Sequence, residues 1–379
     1  TGRFLLAGLS GMETTLFAFL TLSSVYSFIA LKKRKNEIYF TTILAALATT
    51  ARPEGLLLIS FISLIRISNS IKVKDIKALF PKLILSSIPF LLIAGPYFWF
   101  SYSLTGHVFP NTYKGQGGEL QYLPGLNYLR IVCINYFRDK FITGLLFVGG
   151  FLYTARHFKS LLGGKFGEIT LLIIWVYGLP IVSSFLVPNW RHHMRYMMPL
   201  IPFVSIISVY FLGVFLGSEK LVRLRAFFLK SPERLAGILV FSMLYYGLFA
   251  FYIGKNTQNI NDQQVTLGYW VKENVGRDKT IAVNDIGAIT FISKNRVIDM
   301  AGLVTPEVLR YRQYNWDDNL DSLNYLLKKN NVEYIIIYDH WFKEYLDRYE
   351  RNLKFVTSAF LEHNTICGGV EMKVYKTNF

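Results

Sequence analysis

Arg52, Pro53, Glu54 and Gly55, in the stretch TTARPEGLLL (49–58), interrupt an apolar run from Ile38 to Ile65. Charges at membrane depth mark a functional site by default, with a private Arg52–Glu54 ion pair as the plain alternative. A carboxylate there can take a proton from a hydroxyl. A guanidinium can steady a departing phosphate as its charge develops. Three more clusters offer related chemistry. Glu13, in LSGMETTLFAFL, is either a second working carboxylate or a first-turn acid that complements a helix dipole behind a Ser10–Gly11 cap. In GHVFPNTYKGQGGELQYLPG (106–125), Asn111, Tyr113 and Lys114 bring an amide, a phenol and an ammonium beside glycines. That set suits an anionic, hydroxyl-rich ligand, and a solvated turn explains the glycines alone. In VPNWRHHMRYMMP (187–199), Arg191, His192, His193 and Arg195 crowd beside Trp190 and Tyr196. Single interfacial Arg, Trp and Tyr residues are anchors, whereas four potential cations together suit a phosphate. His192 and His193 would need neighbouring acids to hold a metal, so no metal ligand is assigned.

The elements that must position these groups are membrane helices. The 379 residues are 52% hydrophobic and 16% aromatic, with a mean hydropathy of +0.31. Nearly charge-free blocks fall at 12–31, 83–104, 142–155, 169–187, 198–217 and 235–254. Most approach the ~20 residues that cross ~30 Å of hydrocarbon. After Gly254 the blocks stop. The charge divides there too: 26 of the 41 basic residues but only 9 of the 25 acidic ones precede residue 260. The formal net charge of +16 is therefore a topology signal, and nucleic acid is not an expected partner. Two cysteines, Cys133 and Cys367, form no metal or disulfide pattern.

Loop charge chooses between one long helix over 38–65 and a helical hairpin with RPEG at its apex. The hairpin places 17 basic residues inside and 8 outside, against 14 and 10 for a single crossing. It also gives Pro53 the first position of the second helix, where the missing N–H costs nothing. The apex (51–55) is then expected at the outer face, in a domain of about eight membrane helices over residues 1–257. Outside carboxylates reduce to Glu13, Glu54, Glu119 and Asp139. Residues 258–379 alternate apolar strands (TIAVND, NRVIDMAGL, EYIIIYD, LKFVTSAF, VEMKVYK) with helical stretches, as a small extracytoplasmic α/β domain does. Asp285 and Asp299 end strands there, with turn or cap roles ahead of ligand roles.

The segments SGMETTLF, TARPEGLLL, FPNTYKGQG, RYMMPLIP and IAVNDIGAITFISKNRVIDMAGLV occur in this order. In that arrangement the chain resembles the multi-pass glycosyltransferases of the GT-C fold, closest to the branch of mycobacterial terminal arabinofuranosyltransferases. The resemblance implies a GT-C-like bundle. It implies transfer of a sugar from a polyprenyl-phosphate donor to an extracytoplasmic cell-surface glycan, lipid or protein, with membrane lipid around it. It also implies a final domain packed over the active site. Whether a divalent metal assists is left open. In that family the catalytic base is an acid in the first outer loop, whereas this chain opens at what looks like the second. The base is then expected upstream of Thr1, or else Glu13 and Glu54 substitute for it. Arg52, Glu13 and Glu54 are the expected catalytic set. Asn111, Tyr113, Lys114, His192, His193, Arg195 and Tyr196 are expected to bind the donor phosphate and substrate. Two rivals remain: a lipid-linked sugar transporter or flippase, which broken helices with charges suit, and a non-catalytic glycan-binding membrane protein.

Overall fold

The computed structural model describes residues 1–32, 34, 36–72, 79–109, 122–162, 167–186, 194–313 and 319–379. It divides into two compact units, Thr1–Gly247 and Leu248–Phe379.

Unit one is helical. Among the described residues, four helical stretches are long and apolar enough to cross a membrane: Leu83–Thr105, Gly167–Leu186, Met198–Leu216 and Pro232–Asn274. The last of these carries the boundary between the units within it. The short α1 (Gly2–Leu9) and α2 (Thr14–Ala30) would make a fifth span, but they are bent by 112°. The bend falls at Gly11, whose φ of +68° lies in the left-handed region where glycine is at ease. The block expected to begin at Met12 is therefore preceded by a sharp corner. No Ser10–Gly11 cap forms on α2 either. Ser10 Oγ turns back to the Ala7 carbonyl at 2.9 Å, and the capping position of α2 belongs to Glu13.

The run from Ile38 to Ile65 is two helices, α3 (Glu37–Ala51) and α4 (Gly55–Lys72). They fold back on one another, since Glu37 at the start of α3 meets Arg66 near the end of α4 at 2.8 Å. A residue before proline is driven out of the helical region. Arg52 accordingly adopts φ −152°, ψ 134° and ends α3. Three short-range bonds follow, from the N–H groups of Gly55, Leu56 and Leu57 to the carbonyls of Arg52, Pro53 and Glu54, each 3.0 Å. Pro53 thus lies in the turn, two residues before α4, and not at the first helical position. Gly55 is there for space: a Cβ would sit 2.5 Å from the Thr49 backbone nitrogen.

α3 packs against α2 through small residues. Ser24 Oγ donates to the Thr41 carbonyl (3.0 Å) and Thr41 Oγ1 to Ser27 Oγ (3.2 Å), with Ala45 and Ala48 fully buried beside them. In lipid, where apolar surface gains little from pairing, such close small-residue contacts are what hold helices together. Then come α5 (Leu79–Thr105), α6 (Leu126–Asp139), α7 (Phe141–Arg156), the short α8 (Phe158–Leu162), α9 (Thr170–Leu186), α10 (Ile201–Leu216), α11 (Ser218–Leu229) and α12 (Pro232–Ile260). Trp175 anchors the core, its ring edge-on or tilted to Phe17, Phe61 and Phe203. Leu91, Leu92 and Trp99 of α5 stand exposed, as side chains facing lipid do.

Unit two is a five-stranded sheet of order β2-β1-β3-β5-β4. β1 (Thr280–Val283), β2 (Arg296–Asp299) and β3 (Val332–Ile337) run parallel, while β4 (Leu353–Phe360) and β5 (Glu371–Thr377) complete the sheet antiparallel. All four residues of β1 are buried, as expected of a parallel strand covered on both faces. A π turn, Asn261–Val265, joins α12 to α13 (Thr266–Asn274). The remaining helices are α14 (Ile286–Ser293), α15 (Pro306–Gln313), α16 (Leu320–Lys329) and α17 (Lys343–Tyr349). The short α15 has no counterpart in the strand-and-helix reading of the sequence.

Candidate functional site

The hairpin apex collects charges from three separated stretches. Because the pre-proline backbone ends α3 in an extended conformation, the Arg52 side chain leaves the helix and lies 3% exposed. Its Nη2 donates to Glu54 Oε1 at 2.7 Å and its Nε to Oε2 at 3.4 Å. Such a two-pronged contact is the strong form of an arginine–carboxylate pair. The third nitrogen, Nη1, lies 3.4 Å from Glu13 Oε1 but makes no hydrogen bond. Two aromatic faces sandwich the guanidinium, Tyr196 at 4.7 Å and Phe17 at 5.6 Å. Contacts of this kind hold a cation without consuming its N–H donors.

Glu13 reaches the cluster because the corner between α1 and α2 sets it at the helix start, where its carboxylate caps nothing. It is about half exposed (47%), whereas Glu54 is mostly covered. Arg195 and Tyr196 arrive on the turn before α10. That turn begins at Met194, buried and held at φ +59°, a strained conformation for a residue with a side chain. Arg195 Nη2 donates to the Tyr196 hydroxyl at 2.9 Å, and its Nη1 lies 3.9 Å from Met12 Sδ, next to Glu13. Among the described residues no carboxylate pairs with Arg195.

Glu13, Arg52, Glu54, Arg195 and Tyr196 thus meet in one place, although 183 residues separate Glu13 from Tyr196 in sequence. Asn111, Tyr113, Lys114, His192 and His193 lie outside the described residues. Sequence reasoning overlooked Met12 and Phe17, which touch the two guanidinium groups. Those two are ordinary membrane-helix residues by type, and only proximity marks them. Asp139, another of the acids expected on the outer face, is absent from the cluster. It is 5% exposed and bound to Arg3, whose Nε lies 2.8 Å from Oδ1. Among the described residues, no three His, Cys, Asp or Glu side chains gather as a metal site.

In unit two, Asp299 is spent on a turn: its carboxylate accepts the N–H groups of Ala301, Leu303 and Val304. Asp285 is bound by the Gln264 side chain instead.

The second unit has a relative. Residues 258–375 match a domain of unknown function (DUF8728). No curated protein matches the chain.

What the apex can do follows from its charge. Two carboxylates share one buried guanidinium, so one negative charge is in excess, and the exposed partner is Glu13. Beside it stands Arg195, a cation with no ion-pair partner among the described residues. A base next to an anion-binding group is the pairing required to move a group from a phosphate to a hydroxyl.

Proposed function

We propose that this chain is an integral membrane glycosyltransferase of the GT-C type, moving a sugar from a polyprenyl-phosphate donor to an extracytoplasmic acceptor with inversion. The observation that carries the reading is the unequal pairing at the apex, Glu13 and Glu54 against Arg52 alone, with Arg195 alongside. Glu13 takes the proton from the acceptor hydroxyl as its oxygen attacks the anomeric carbon. The bond from that carbon to the donor phosphate breaks, and polyprenyl phosphate leaves with the electron pair. Arg195 faces the phosphate as its charge grows, with Lys114 and the His192–His193 pair as the sequence candidates to join it. Arg52, fixed by Glu54 and two rings, tethers one Glu13 oxygen and leaves the other for the acceptor. A donor positioned this way contributes about 10²–10³ in rate. The eight apolar helices, hairpin arms included, form the bundle in this reading, and the second unit lies on the outer side.

The test uses membranes carrying the full-length gene product, radiolabelled polyprenyl-phosphate sugars and a cell-wall extract as acceptor. Label passes into glycan with the wild type and not with Arg52→Ala. Normal turnover by Arg52→Ala would return Arg52 to the structural ion pairs. Tight lipid binding without transfer from any donor would favour the transporter or the glycan-binding protein.

A further inference from the structure

Unit two holds a second constellation, which the transfer reading does not use. β1 lies between β2 and β3, and the chain leaves the carboxyl end of β1 through α14 towards β2, while β3 lies on the other side. The carboxyl ends of β1 and β3 therefore meet where strand order reverses, the position at which open parallel sheets hold ligands in a crevice.

The two residues that follow β1 there keep hydrogen-bonding capacity in reserve. Asn284 is 5% exposed; its Oδ1 accepts the Tyr338 N–H at 3.3 Å, while Nδ2 is buried and has no partner. A buried amide N–H with no acceptor is destabilising, so the group calls for one. Asp285 occupies the capping position of α14 yet makes no capping bond. Its Oδ2 accepts from Gln264 Nε2 at 2.5 Å, and no hydrogen bond reaches Oδ1 from the described residues. Gln264 comes from the π turn. That wide turn buries two successive glutamines, and π turns gather at functional sites. Its neighbour Gln263 is fully used, donating to the Gly369 and Val370 carbonyls and accepting from the Tyr338 hydroxyl at 2.8 Å. Cys367 is part of the surroundings. Burial, then the nearby Asp285 charge, pushes its thiol up to about 11, so it contributes no thiolate.

Chemistry narrows the ligand. An anion would meet the Asp285 carboxylate, and a metal ion would meet the N–H of Asn284. An apolar group would leave both residues unpaired. A hydroxyl donates and accepts at once, so two adjacent hydroxyls satisfy Nδ2 and Oδ1 together. We propose that the crevice between β1 and β3 binds the vicinal diol of a neutral sugar, with Asn284 donating to one hydroxyl and Asp285 accepting from the next. This site lies wholly in unit two and stands whether or not the apex transfers sugar.

The test is saturation-transfer NMR on the full chain in lipid nanodiscs, with methyl α-D-mannopyranoside as the probe. The isosteric variants Asp285→Asn and Asn284→Asp keep shape and exchange donor for acceptor, and Arg52→Ala is the control for binding at the apex. Saturation reaches the sugar ring with wild type and with Arg52→Ala. Each isosteric variant weakens binding about tenfold, the scale of one hydrogen bond to a charged group. Absence of transfer to the wild-type protein would overturn the site, as would signals from the two isosteric variants as strong as from wild type. So would loss confined to Arg52→Ala.

Discussion

Two arginines of the first unit are almost equally buried, Arg3 at 5% and Arg52 at 3% exposure, and their surroundings differ in one respect. Arg3 meets one carboxylate, Asp139, itself buried, and lies over the Tyr136 ring at 5.7 Å. The pair is neutral and closed. Arg52 meets two carboxylates, one of them half in solvent, and keeps one nitrogen without a hydrogen bond. That cluster is unevenly paired and open, with Arg195 as a second cation beside it. A closed pair holds helices in place. An open one retains capacity for a third party, and this difference, more than burial, separates a structural charge from a working one.

The comparison can be broken most forcefully at the closed pair. Asp139→Ala takes away the carboxylate that neutralises the buried Arg3 cation and is expected to cost about 3–5 kcal/mol. The readout is loss of folded protein from detergent extracts. Arg3→Met combined with Asp139→Leu removes both charges and recovers most of it. At the open cluster, Arg52→Lys keeps the charge but loses the two-pronged contact with Glu54 and the fit between two rings. Transfer is expected to fall roughly 100-fold with the unfolding temperature little changed, since a point charge without the guanidinium fork holds Glu13 less well in place and a misplacement of about 1 Å costs on that order.

Gly55→Ala tests whether the apex geometry matters apart from its charges. The added Cβ meets Thr49 backbone at 2.5 Å, which no side-chain rotation relieves. Overpacking of this kind costs roughly 1–3 kcal/mol. Thermal unfolding should show that loss, and transfer should fall with it.

The smallest effect is expected in unit two. Burial raises the Asp285 carboxyl above its usual range, helped by the Asp299 charge and opposed by the Gln264 hydrogen bond. A raised acid binds more protons folded than unfolded, so its contribution to stability declines as pH rises from the ordinary carboxyl range through the raised value. Asp285→Asn removes that decline. Its unfolding temperature should exceed wild type at pH 7 and converge with it near pH 4.

Some of this was legible in residues and some was not. The corner at RPEG announced itself because Pro53 excludes Arg52 from a helix, and that same rule gives Arg52 its reach. The alternating pattern after residue 260 marked the strands that became β1 to β5. The partnership of Glu13 with Arg52 lacked a local signal. Glu13 reads as a dipole-complementing acid, and only the 112° corner before α2 turns it to the apex. Nor did sequence separate Arg3–Asp139 from the apex charges, because 136 residues lie between the partners. In unit two, Asp285 and Asp299 both read as strand ends in the sequence, yet three backbone N–H groups occupy Asp299 and a lone glutamine Asp285.

The most direct measurement is a double readout on Glu13→Gln: sugar transfer from a polyprenyl-phosphate donor, and thermal unfolding of the same preparation. The substitution is isosteric and half in solvent, so it removes the base and leaves packing intact. Transfer reduced about 100-fold at an unchanged unfolding temperature is the predicted result. Undiminished transfer, or a loss matched by lower stability, would contradict the assignment of the open cluster as the site of chemistry.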